Sequence, residues 1–359
     1  MIGETWLRTS YSITICFAPG LYKYLPSITS VGANLFRLDY NKITAEFMLF
    51  VELASNHNFI RSIISSRPFQ WLAAPKGTDM VGLGRIVGIA QKTVAERYRP
   101  DAKVKRDMLG HFLSKGLSQE QAEAESNVQI LAGSDSTATV LRITLMFLIA
   151  SPDAYAKLRT EIDDAVAAGN ISYPVVTYAE AMKLPYLDAV IWEGMRLWPP
   201  LIGFLSKLAP KGGDTVNGIF YPEGTEICVC PMGVGRRKDI FGEDADIFRP
   251  DRWTEADTAT RNKYERTTEV IFGSGRFTCL GKHIAMIELH KVFVEVRKLR
   301  WKTIYEKRIN GANANVNLCW QLLKNFDWAI ADPLRGIDSI GQGIYIQSNM
   351  NLLARPRQR

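Results

Sequence analysis

The amino-acid sequence predicts a mainly α-helical fold with a minor β-sheet, and three observations carry that prediction. Apolar residues recur at helical spacing throughout a long segment, from Ser118 to Ala150. Shorter helical segments bounded by proline or glycine follow at 153–168 and 185–199, and another begins just after Gly281. Strand patterns, by contrast, are few and short: "TEICVC" (225–230), "FDWAIA" and "GIYIQ".

The long segment has a defined start and end. The letters "SQEQ" (118–121) form a capping box, in which a serine and a glutamine three residues later satisfy each other's backbone amides. Pro152 lies just beyond Ala150 and cannot continue a helix. At about 1.5 Å per residue, a helix of this length would span roughly 50 Å, enough to cross a whole domain.

Composition indicates a globular chain. Of the 359 residues, 47% are hydrophobic and 23% are charged, and no clear linker divides them, so we predict a single domain over 1–359. The apolar stretches are too short or too often interrupted to span a bilayer, and no cleavable signal peptide is visible. We therefore expect a soluble or peripherally membrane-bound chain.

One basic segment, 296–321, interrupts this pattern. It is rich in basic residues and asparagine and holds most of the net charge of +7, so the rest of the chain is nearly neutral, which argues against a nucleic-acid surface. Deleting the segment joins "KVFVE" to "LLKNFDWAI" and restores an apolar helix that runs into a strand. We interpret 296–321 as an insertion and hypothesise that it is translated intron.

Cys279 lies in the glycine-rich stretch "FGSGRFTCLG" (272–281), directly before a predicted helix. The five cysteines are scattered without a CxxC pair, which argues against a disulfide framework or a structural zinc site. Backbone N–H groups at such a turn favour a thiolate, which serves either as a nucleophile or as a metal ligand. A nucleophile needs a base, and His283 is the only histidine nearby in sequence. A thiolate ligand to haem iron fits better, because the glycines let the loop approach a flat macrocycle closely.

The centre of the long helix, "ILAGSDSTAT" (130–139), carries polar residues in an apolar run. Ala132 and Gly133 leave room beside the helix, and Asp135 and Ser136 place an acid and a hydroxyl next to that room. Because a glycine and a buried acid both weaken a helix, we expect a local loosening of the backbone that admits a ligand or a water. The alternative is a kinked helix with a satisfied polar pair, and the segment alone favours neither.

Glu193 and Arg196 lie three residues apart in "LPYLDAVIWEGMRLWPP" (184–200), on one face of a predicted helix. An ExxR pair is usually a weak surface ion pair, but the apolar context here favours a buried one. A buried pair needs further hydrogen-bond partners, and "FRPDRW" (248–253) supplies Arg252. We therefore predict a buried Glu–Arg–Arg network.

These three segments, in this order, resemble those of the cytochrome P-450 haem-thiolate monooxygenases. The similarity runs from about residue 76 to the C-terminus, and phrases such as "QILAGSDSTAT", "FGEDADIFRPDRW" and "GKHIAMIELHKVFVE" look most like the fungal branch that includes pisatin demethylase. The resemblance implies the cytochrome P-450 fold with haem b as cofactor. It also implies a membrane anchor and a Trp-x-x-x-Arg haem contact, neither of which we find in the 117 residues before Ser118, so we expect an N-terminally incomplete fold.

The resemblance implies a role for each matching position on the cysteine side of the haem. Cys279 would be the axial thiolate, with Phe272 packed against its loop and Gly275 and Gly281 allowing the turn. Arg276 would pair with a haem propionate, although the family's usual arginine lies one position later, where this chain has phenylalanine. The predicted Glu–Arg–Arg network would hold this side of the site in place.

On the oxygen side, the resemblance assigns five residues of the long helix. Ala132 and Gly133 would open the oxygen pocket. Asp135 and Ser136 would relay protons to dioxygen, with Thr137 as the adjacent hydroxyl. The family usually has threonine where Ser136 stands, and serine keeps the hydroxyl group.

The resulting hypothesis is a haem-dependent monooxygenase that hydroxylates or demethylates a small lipophilic metabolite, in fungal secondary metabolism or detoxification. The resemblance implies O2 as co-substrate, electrons from a separate NADPH-dependent flavoprotein reductase, and the cytosolic face of the endoplasmic reticulum; we expect a monomer. No GxGxxG fingerprint for a bound dinucleotide occurs in the chain. Two alternatives stay open: a truncated, catalytically inactive relic, and a haem-thiolate isomerase or dehydratase. The presence of Asp135 and Ser136 counts against the second, because such enzymes deliver no protons to dioxygen.

Overall fold

The computed structural model describes residues 58–64, 66, 68–69, 75–79, 82–172, 176–201, 207–294, 326–330, 338–342, 344–348 and 352–356. The predicted insertion 296–321 lies outside these residues. The helices are α1 (Asn58–Ile64), α2 (Gly82–Arg97), α3 (Met108–Ser114), α4 (Gln119–Ile149), α5 (Pro152–Ala167), α6 (Tyr178–Ala181), α7 (Pro185–Leu197), α8 (Pro231–Val234), α9 (Lys238–Phe241), α10 (Asp251–Glu255), α11 (Thr258–Thr268) and α12 (Lys282–Val294). The strands are β1 (Lys207–Leu208), β2 (Asp214–Val216), β3 (Ile219–Tyr221), β4 (Glu226–Ile227), β5 (Phe326–Ile330), β6 (Asp338–Gln342), β7 (Ile344–Ser348) and β8 (Leu352–Pro356).

The predicted long helix is α4, and its ends are those that the sequence indicates. The Ser118 hydroxyl accepts a hydrogen bond from the Gln121 amide at 3.2 Å, and the Gln121 side chain accepts one from the Ser118 amide at 2.9 Å. The helix stops at Ile149, and Pro152 begins α5. The capping box and the proline therefore confirm both boundaries.

The expected loosening of α4 at 130–139 is wrong, because the α-helix is continuous there. Two local interactions accommodate the polar residues within regular helix. The Ser136 hydroxyl donates to the Ala132 carbonyl one turn earlier at 2.7 Å, and the Asp135 carboxylate is paired with Arg142 two turns later. Ser136 and one oxygen of Asp135 thus find partners within α4 itself, without a break in the helix.

The other predicted helices and two of the three predicted strands are confirmed to within two residues. The exception is "TEICVC" (225–230), of which only Glu226–Ile227 pairs as a strand. Residues 228–230 leave the strand because Cys230 is the N-cap of α8 and Pro231 occupies its first position, where a proline is favourable.

The minor sheet consists of separate antiparallel pairs among the described strands: β1–β4, β2–β3, β5–β8 and β6–β7. The hairpin of β2 and β3 places Val216 opposite Ile219. Its two-residue turn is Asn217–Gly218, with φ of 52° and 80°, the left-handed backbone that an Asn-Gly turn provides. Among these strands, β5 packs against the helical core through Trp328 and Ile330.

The main core forms where the second half of α4 meets α5, α7 and α12. Every residue of α7 from Tyr186 to Leu197 is buried. The backbones of α4 and α7 approach so closely that a Cβ on Gly194 would lie 1.9 Å from the Thr144 hydroxyl. The core therefore fixes α4, α7 and α12 against one another, and these are the elements that carry or adjoin the predicted motifs.

Taken singly, none of the described helices combines the length and apolarity needed to cross a bilayer; α4 and α5 meet that test only as a pair, across a bend of 108°.

Candidate functional site

The Cys279 loop is a compact turn held by its own backbone. Two 3₁₀ segments, Glu269–Phe272 and Gly275–Phe277, lead into it, and the Cys279 amide donates to the Phe272 carbonyl at 2.7 Å. Gly273 has φ 73°, and a Cβ there would lie 2.6 Å from the Phe277 carbonyl oxygen. Only glycine meets both conditions, and the loop leaves the Cys279 thiol free and exposed.

The glycines of this loop differ in what they contribute. Gly275 has φ 60° with open space where a Cβ would go, so it serves the turn through its backbone conformation alone. Gly281 is not in the left-handed region, and a Cβ there would lie 3.6 Å from the Cys279 sulfur, an ordinary contact distance. The turn therefore depends on Gly273 and Gly275, and Gly281 borders the sulfur instead of shaping the turn as expected.

Apolar side chains and cations surround the exposed thiol. Phe277 is 62% exposed and Leu280 is 83% exposed, so a hydrophobic surface lies uncovered beside Cys279. The Arg276 guanidinium lies over the Phe277 ring at 5.0 Å. Lys207 reaches the same loop from β1, donating to the Ser274 hydroxyl at 2.7 Å. Sequence reasoning missed Lys207, because nothing local to β1 indicates a partner 67 residues away.

The part of α4 that carries the predicted oxygen pocket is open. Ala132 and Gly133 are exposed, and a Cβ on Gly133 would meet no atom within 4 Å. Val128, one turn before Ala132 and on the same face, is 58% exposed. From Thr137 to Leu145 the helix is buried. An uncovered apolar surface therefore lies on α4 at the place where the sequence predicts a bound group.

Asp135 faces away from that open surface. It is buried, and one carboxylate oxygen lies 3.5 Å from Nη2 of Arg142, which also donates to Thr139 at 3.2 Å. The other carboxylate oxygen, Oδ2, has no hydrogen-bond partner among the described residues. Burial raises the pKa of Asp135 above its usual value, and the long contact with Arg142 offsets only part of that effect. Asp135 can therefore hold a proton more readily than an exposed aspartate.

The two hydroxyls next to Asp135 have different partners. Ser136 donates to the Ala132 carbonyl at 2.7 Å, which leaves its oxygen lone pairs available as acceptors. Thr137 is buried and hydrogen-bonds Glu288 on α12. Burial raises the pKa of Glu288 to about 7. Sequence reasoning missed Glu288, although an acid inside the apolar run "HIAMIELHKVF" was a signal for it.

The predicted Glu–Arg–Arg network is assembled as the sequence indicates. Arg196 donates to both oxygens of Glu193, at 2.8 and 2.7 Å, and Arg252 donates to one of them at 3.0 Å. All three side chains are buried. Two further donors complete the carboxylate, the Trp253 indole and the Arg249 backbone amide, each at 2.8 Å. With five hydrogen bonds, the Glu193 charge is compensated, as a buried ion requires.

The helices bring the cysteine side and the α4 side together. α12 begins three residues after Cys279 and packs against α4, where Glu288 bonds Thr137. It also packs against α7, where His290 Nε2 lies 2.9 Å from Asp188 Oδ1. The predicted site residues therefore lie on one continuous set of packed elements.

The residues around Cys279 suit a flat apolar cofactor that bears carboxylates and a metal ion with a preference for thiolate ligands. An exposed thiol at a helix start suits a thiolate-binding metal. Phe277 and Leu280 offer uncovered apolar contacts, and Arg276 and Lys207 offer cations on the same loop. Haem with axial thiolate ligation has these properties.

Comparison with known proteins identifies the cytochrome P-450 family, which the sequence motifs also resemble. The sequence profile of the cytochrome P-450 family matches residues 38–317. The chain is 47% identical over 234 residues to the cytochrome P-450 monooxygenase ABA1 of Pyricularia oryzae, a match that covers 65% of this chain and 46% of that protein. It is 38% identical over 292 residues to the cytochrome P-450 monooxygenase aba1 of Botryotinia fuckeliana, covering 81% of this chain and 52% of that protein.

A third relative and a solved structure extend the comparison. The cytochrome P-450 monooxygenase abl1 of Leptosphaeria maculans is 35% identical over 319 residues, covering 88% of this chain and 51% of that protein. The chain thus spans about half the length of these curated relatives. A crystal structure of a cytochrome P-450 superposes with a TM-score of 0.60 at 22% identity, covering 86% of this chain and 61% of that chain, which shows the shared fold. The profile match takes in most of the chain and all three motif segments, and the chain belongs to the cytochrome P-450 family.

Proposed function

We propose that this protein is a haem-dependent monooxygenase that hydroxylates or demethylates a small lipophilic metabolite. One observation carries the proposal: the exposed Cys279 thiol lies in a turn fixed by Gly273, at the start of a helix that packs against α4. The relatives named above are cytochrome P-450 monooxygenases, which supports the same reaction class.

Haem would be held between the Cys279 loop and α4. The Cys279 thiolate would ligate the iron, and Arg276 and Lys207 would meet the carboxylates. When bound, thiolate-ligated haem supplies the reductive activation of O2 from which one oxygen atom is inserted into a C–H bond. The exposed apolar stretch at Ala132 and Gly133 would face the oxygen side and exclude bulk water once covered.

The long helix would hold the protons that the reaction consumes. Asp135 is buried with a raised pKa and an unpartnered oxygen, so it can keep a proton out of solvent. Ser136 is the next residue along the helix, and its oxygen can accept a hydrogen bond while its proton goes to Ala132. Thr137 supplies a second hydroxyl in the same turn. These three residues are the proposed proton-relay group.

The remaining requirements are a redox partner and a substrate. Oxygen insertion consumes two electrons and two protons for each O2, and the sequence has no dinucleotide fingerprint of its own. We propose a separate NADPH-dependent flavoprotein reductase as the electron source and a monomeric enzyme. A small lipophilic substrate suits the apolar face of α4 around Val128 and Ala132.

The absorption spectrum of the purified full chain, reduced and exposed to carbon monoxide, tests this proposal. We expect haem to copurify and to give the red-shifted band that a thiolate ligand produces. Protein that folds but neither copurifies with haem nor takes it up from added haemin would contradict the proposal and would favour the catalytically inactive relic.

A further inference from the structure

We propose that Cys228 and Cys230 form a binding site for a soft metal ion, Cu(I), held between their two thiolates. The two residues lie in the segment "TEICVC" (225–230), and neither has a role in the proposed haem site. The proposal therefore goes beyond the monooxygenase function and does not depend on it.

Both thiols are available on one side of this segment. Cys228 and Cys230 are free and exposed. Ile227 and Val229, which alternate with them, are only half-exposed, as in an extended segment that turns one side to solvent. Cys230 has an extended backbone, with φ −97° and ψ 99°. Because side chains two residues apart in an extended segment point the same way, the two sulfurs face the same region of solvent.

The spacing of the two cysteines favours a bridging ion over a disulfide. Residues two apart in an extended chain are about 6.6 Å apart, whereas the Cβ atoms of a disulfide lie about 3.5–4.5 Å apart. A disulfide would require the segment to bend. One ion bonded to both sulfurs at about 2.3 Å each holds them about twice as far apart as an S–S bond does. The extended pair thus suits an ion between the sulfurs.

The available donors select a soft ion with few ligands. In the part of the chain that the structure describes, no three His, Cys, Asp or Glu side chains come together, so the ligands of a tetrahedral zinc site are not assembled there. Thiolates prefer soft ions, of which Cu(I) is one, and Cu(I) is stable with two thiolate ligands. Met232 offers a thioether two residues later, but its sulfur contacts the Arg236 guanidinium, so we assign the two thiolates alone.

The site lies beside the Cys279 loop but uses different donors. Cys228 directly follows Ile227, which is opposite Lys207 in the β1–β4 pair. Lys207 in turn donates to Ser274 of the loop. Binding would release one proton from each thiol and leave copper as Cu(I), so the step needs neither an oxidant nor a reductant.

Copper titration of the full chain tests the site. The probe is Cu(I) supplied without oxygen as its coloured bicinchoninate complex, whose colour fades as the protein takes the ion. We expect the unmodified chain to take up one equivalent more than the double variant Cys228→Ser/Cys230→Ser. Each single variant should lose that equivalent as well, because one thiolate does not hold the ion against the chelator. Equal uptake by the unmodified chain and the double variant would overturn the proposal.

A matched control keeps the number of thiols and changes their arrangement. The variant Val229→Cys/Cys230→Val has thiols at the adjacent positions 228 and 229, which face opposite sides of an extended segment. We expect it to take up no more Cu(I) than the double serine variant does. Uptake equal to that of the unmodified chain would refute the bridged site, because it would show that any two thiols in this segment are sufficient.

A second titration tests the choice of ion. Zn(II) should be taken up equally by the unmodified chain and by the double serine variant. A loss of Zn(II) as large as the loss of Cu(I) would contradict the assignment of a soft ion with two ligands. Every variant keeps Cys279, so copper bound there cancels in the comparison. Failure of the proposed function would show separately, as a missing thiolate band with carbon monoxide, and would leave the copper difference interpretable.

Discussion

At the scale of single residues, the Cys279 turn depends on a glycine that sequence reasoning did not select. Gly273 has a positive φ and no room for a Cβ, whereas Gly275 has a positive φ and free space. The letters "FGSGRFTCLG" show where glycines lie, but the clash with the Phe277 carbonyl arises only when the loop has closed. The pairing of Glu193 with Arg196 was predictable because the two residues lie one helical turn apart, whereas the role of Cys279 as a ligand stays a prediction.

We predict that Gly273→Ala destabilises the fold more than Gly275→Ala. A left-handed backbone costs a non-glycine residue about 1–2 kcal/mol, and both variants carry that cost. Only Gly273→Ala adds the contact at 2.6 Å with the Phe277 oxygen. Urea unfolding of both variants should show the larger loss of unfolding free energy for Gly273→Ala. Equal losses would mean that the backbone clash is relieved without cost.

We predict that Lys207→Met weakens haem retention. Lys207 contacts the loop at Ser274 and lies 5.8 Å from the Phe277 ring centroid, so its charge is available beside Cys279. Haem transfer to apomyoglobin should be faster for this variant than for Lys211→Met, which removes an exposed lysine from the nearby turn before β2. Identical transfer rates for the two variants would show that Lys207 contacts only the protein.

At the scale of elements, a buried polar cluster ties α12 to α7. His290 is fully buried, with Nδ1 2.8 Å from the Met286 carbonyl and Nε2 2.9 Å from Asp188 Oδ1. Each ring nitrogen therefore has a hydrogen-bond partner. Arg261 of α11 binds the other Asp188 oxygen. The helix that follows Cys279 is thereby fixed to the helix that carries Glu193.

We predict that His290→Phe destabilises the protein by about 3 kcal/mol, because it leaves the buried Asp188 carboxylate without one of its hydrogen-bond partners. The matched control is His283→Phe, on the same helix but exposed, which should change the unfolding free energy by less than about 0.5 kcal/mol. Urea unfolding at neutral pH measures both. A small effect for His290→Phe would indicate that Asp188 is sufficiently stabilised by Arg261 alone.

We predict a pH dependence of stability that originates in Glu288. Its pKa rises from 4.5 to about 7 on folding, so the folded chain binds this proton more tightly than the unfolded chain. The contribution of Glu288 is therefore most favourable below about pH 4.5 and is lost as the pH rises to about 7. Unfolding free energies measured across that range should fall less steeply in Glu288→Gln than in the unmodified chain. Parallel curves would contradict the assignment.

Local sequence patterns predicted the helix boundaries correctly, but they did not predict that α4 is continuous through its polar centre. The capping box of Ser118 and the prolines at 152 and 185 act within a few residues, so the boundaries of α4, α5 and α7 could be read directly. The continuity of α4 through Gly133 could not be predicted in this way. It depends on the contact between Arg142 and Asp135 and on packing against other helices. The contact of His290 with Asp188 is likewise tertiary.

At the scale of the whole molecule, the fold follows from a core that α4, α5, α7 and α12 share. The order of the motif segments along the chain was sufficient to predict the family, because each segment lies on one of these helices or next to it. The contacts between segments required the structure. The single-domain prediction over 1–359 and the insertion at 296–321 remain predictions.

We predict that 296–321 is absent from the mature protein. Its removal would connect the end of α12 to the segment that leads into β5, which restores the apolar pattern on both sides. Sequencing the mature transcript across Glu295–Leu322 provides the measurement. An in-frame message that retains the segment would refute the intron hypothesis.

The identity of the iron ligand tests the central claim most directly. The measurement is the reduced, carbon monoxide-bound spectrum of Cys279→Ser beside those of Cys228→Ser and Cys230→Ser, which change the other two exposed thiols among the described residues. We predict that the thiolate band disappears in Cys279→Ser and persists in both controls. A thiolate band that survives in Cys279→Ser would contradict the account.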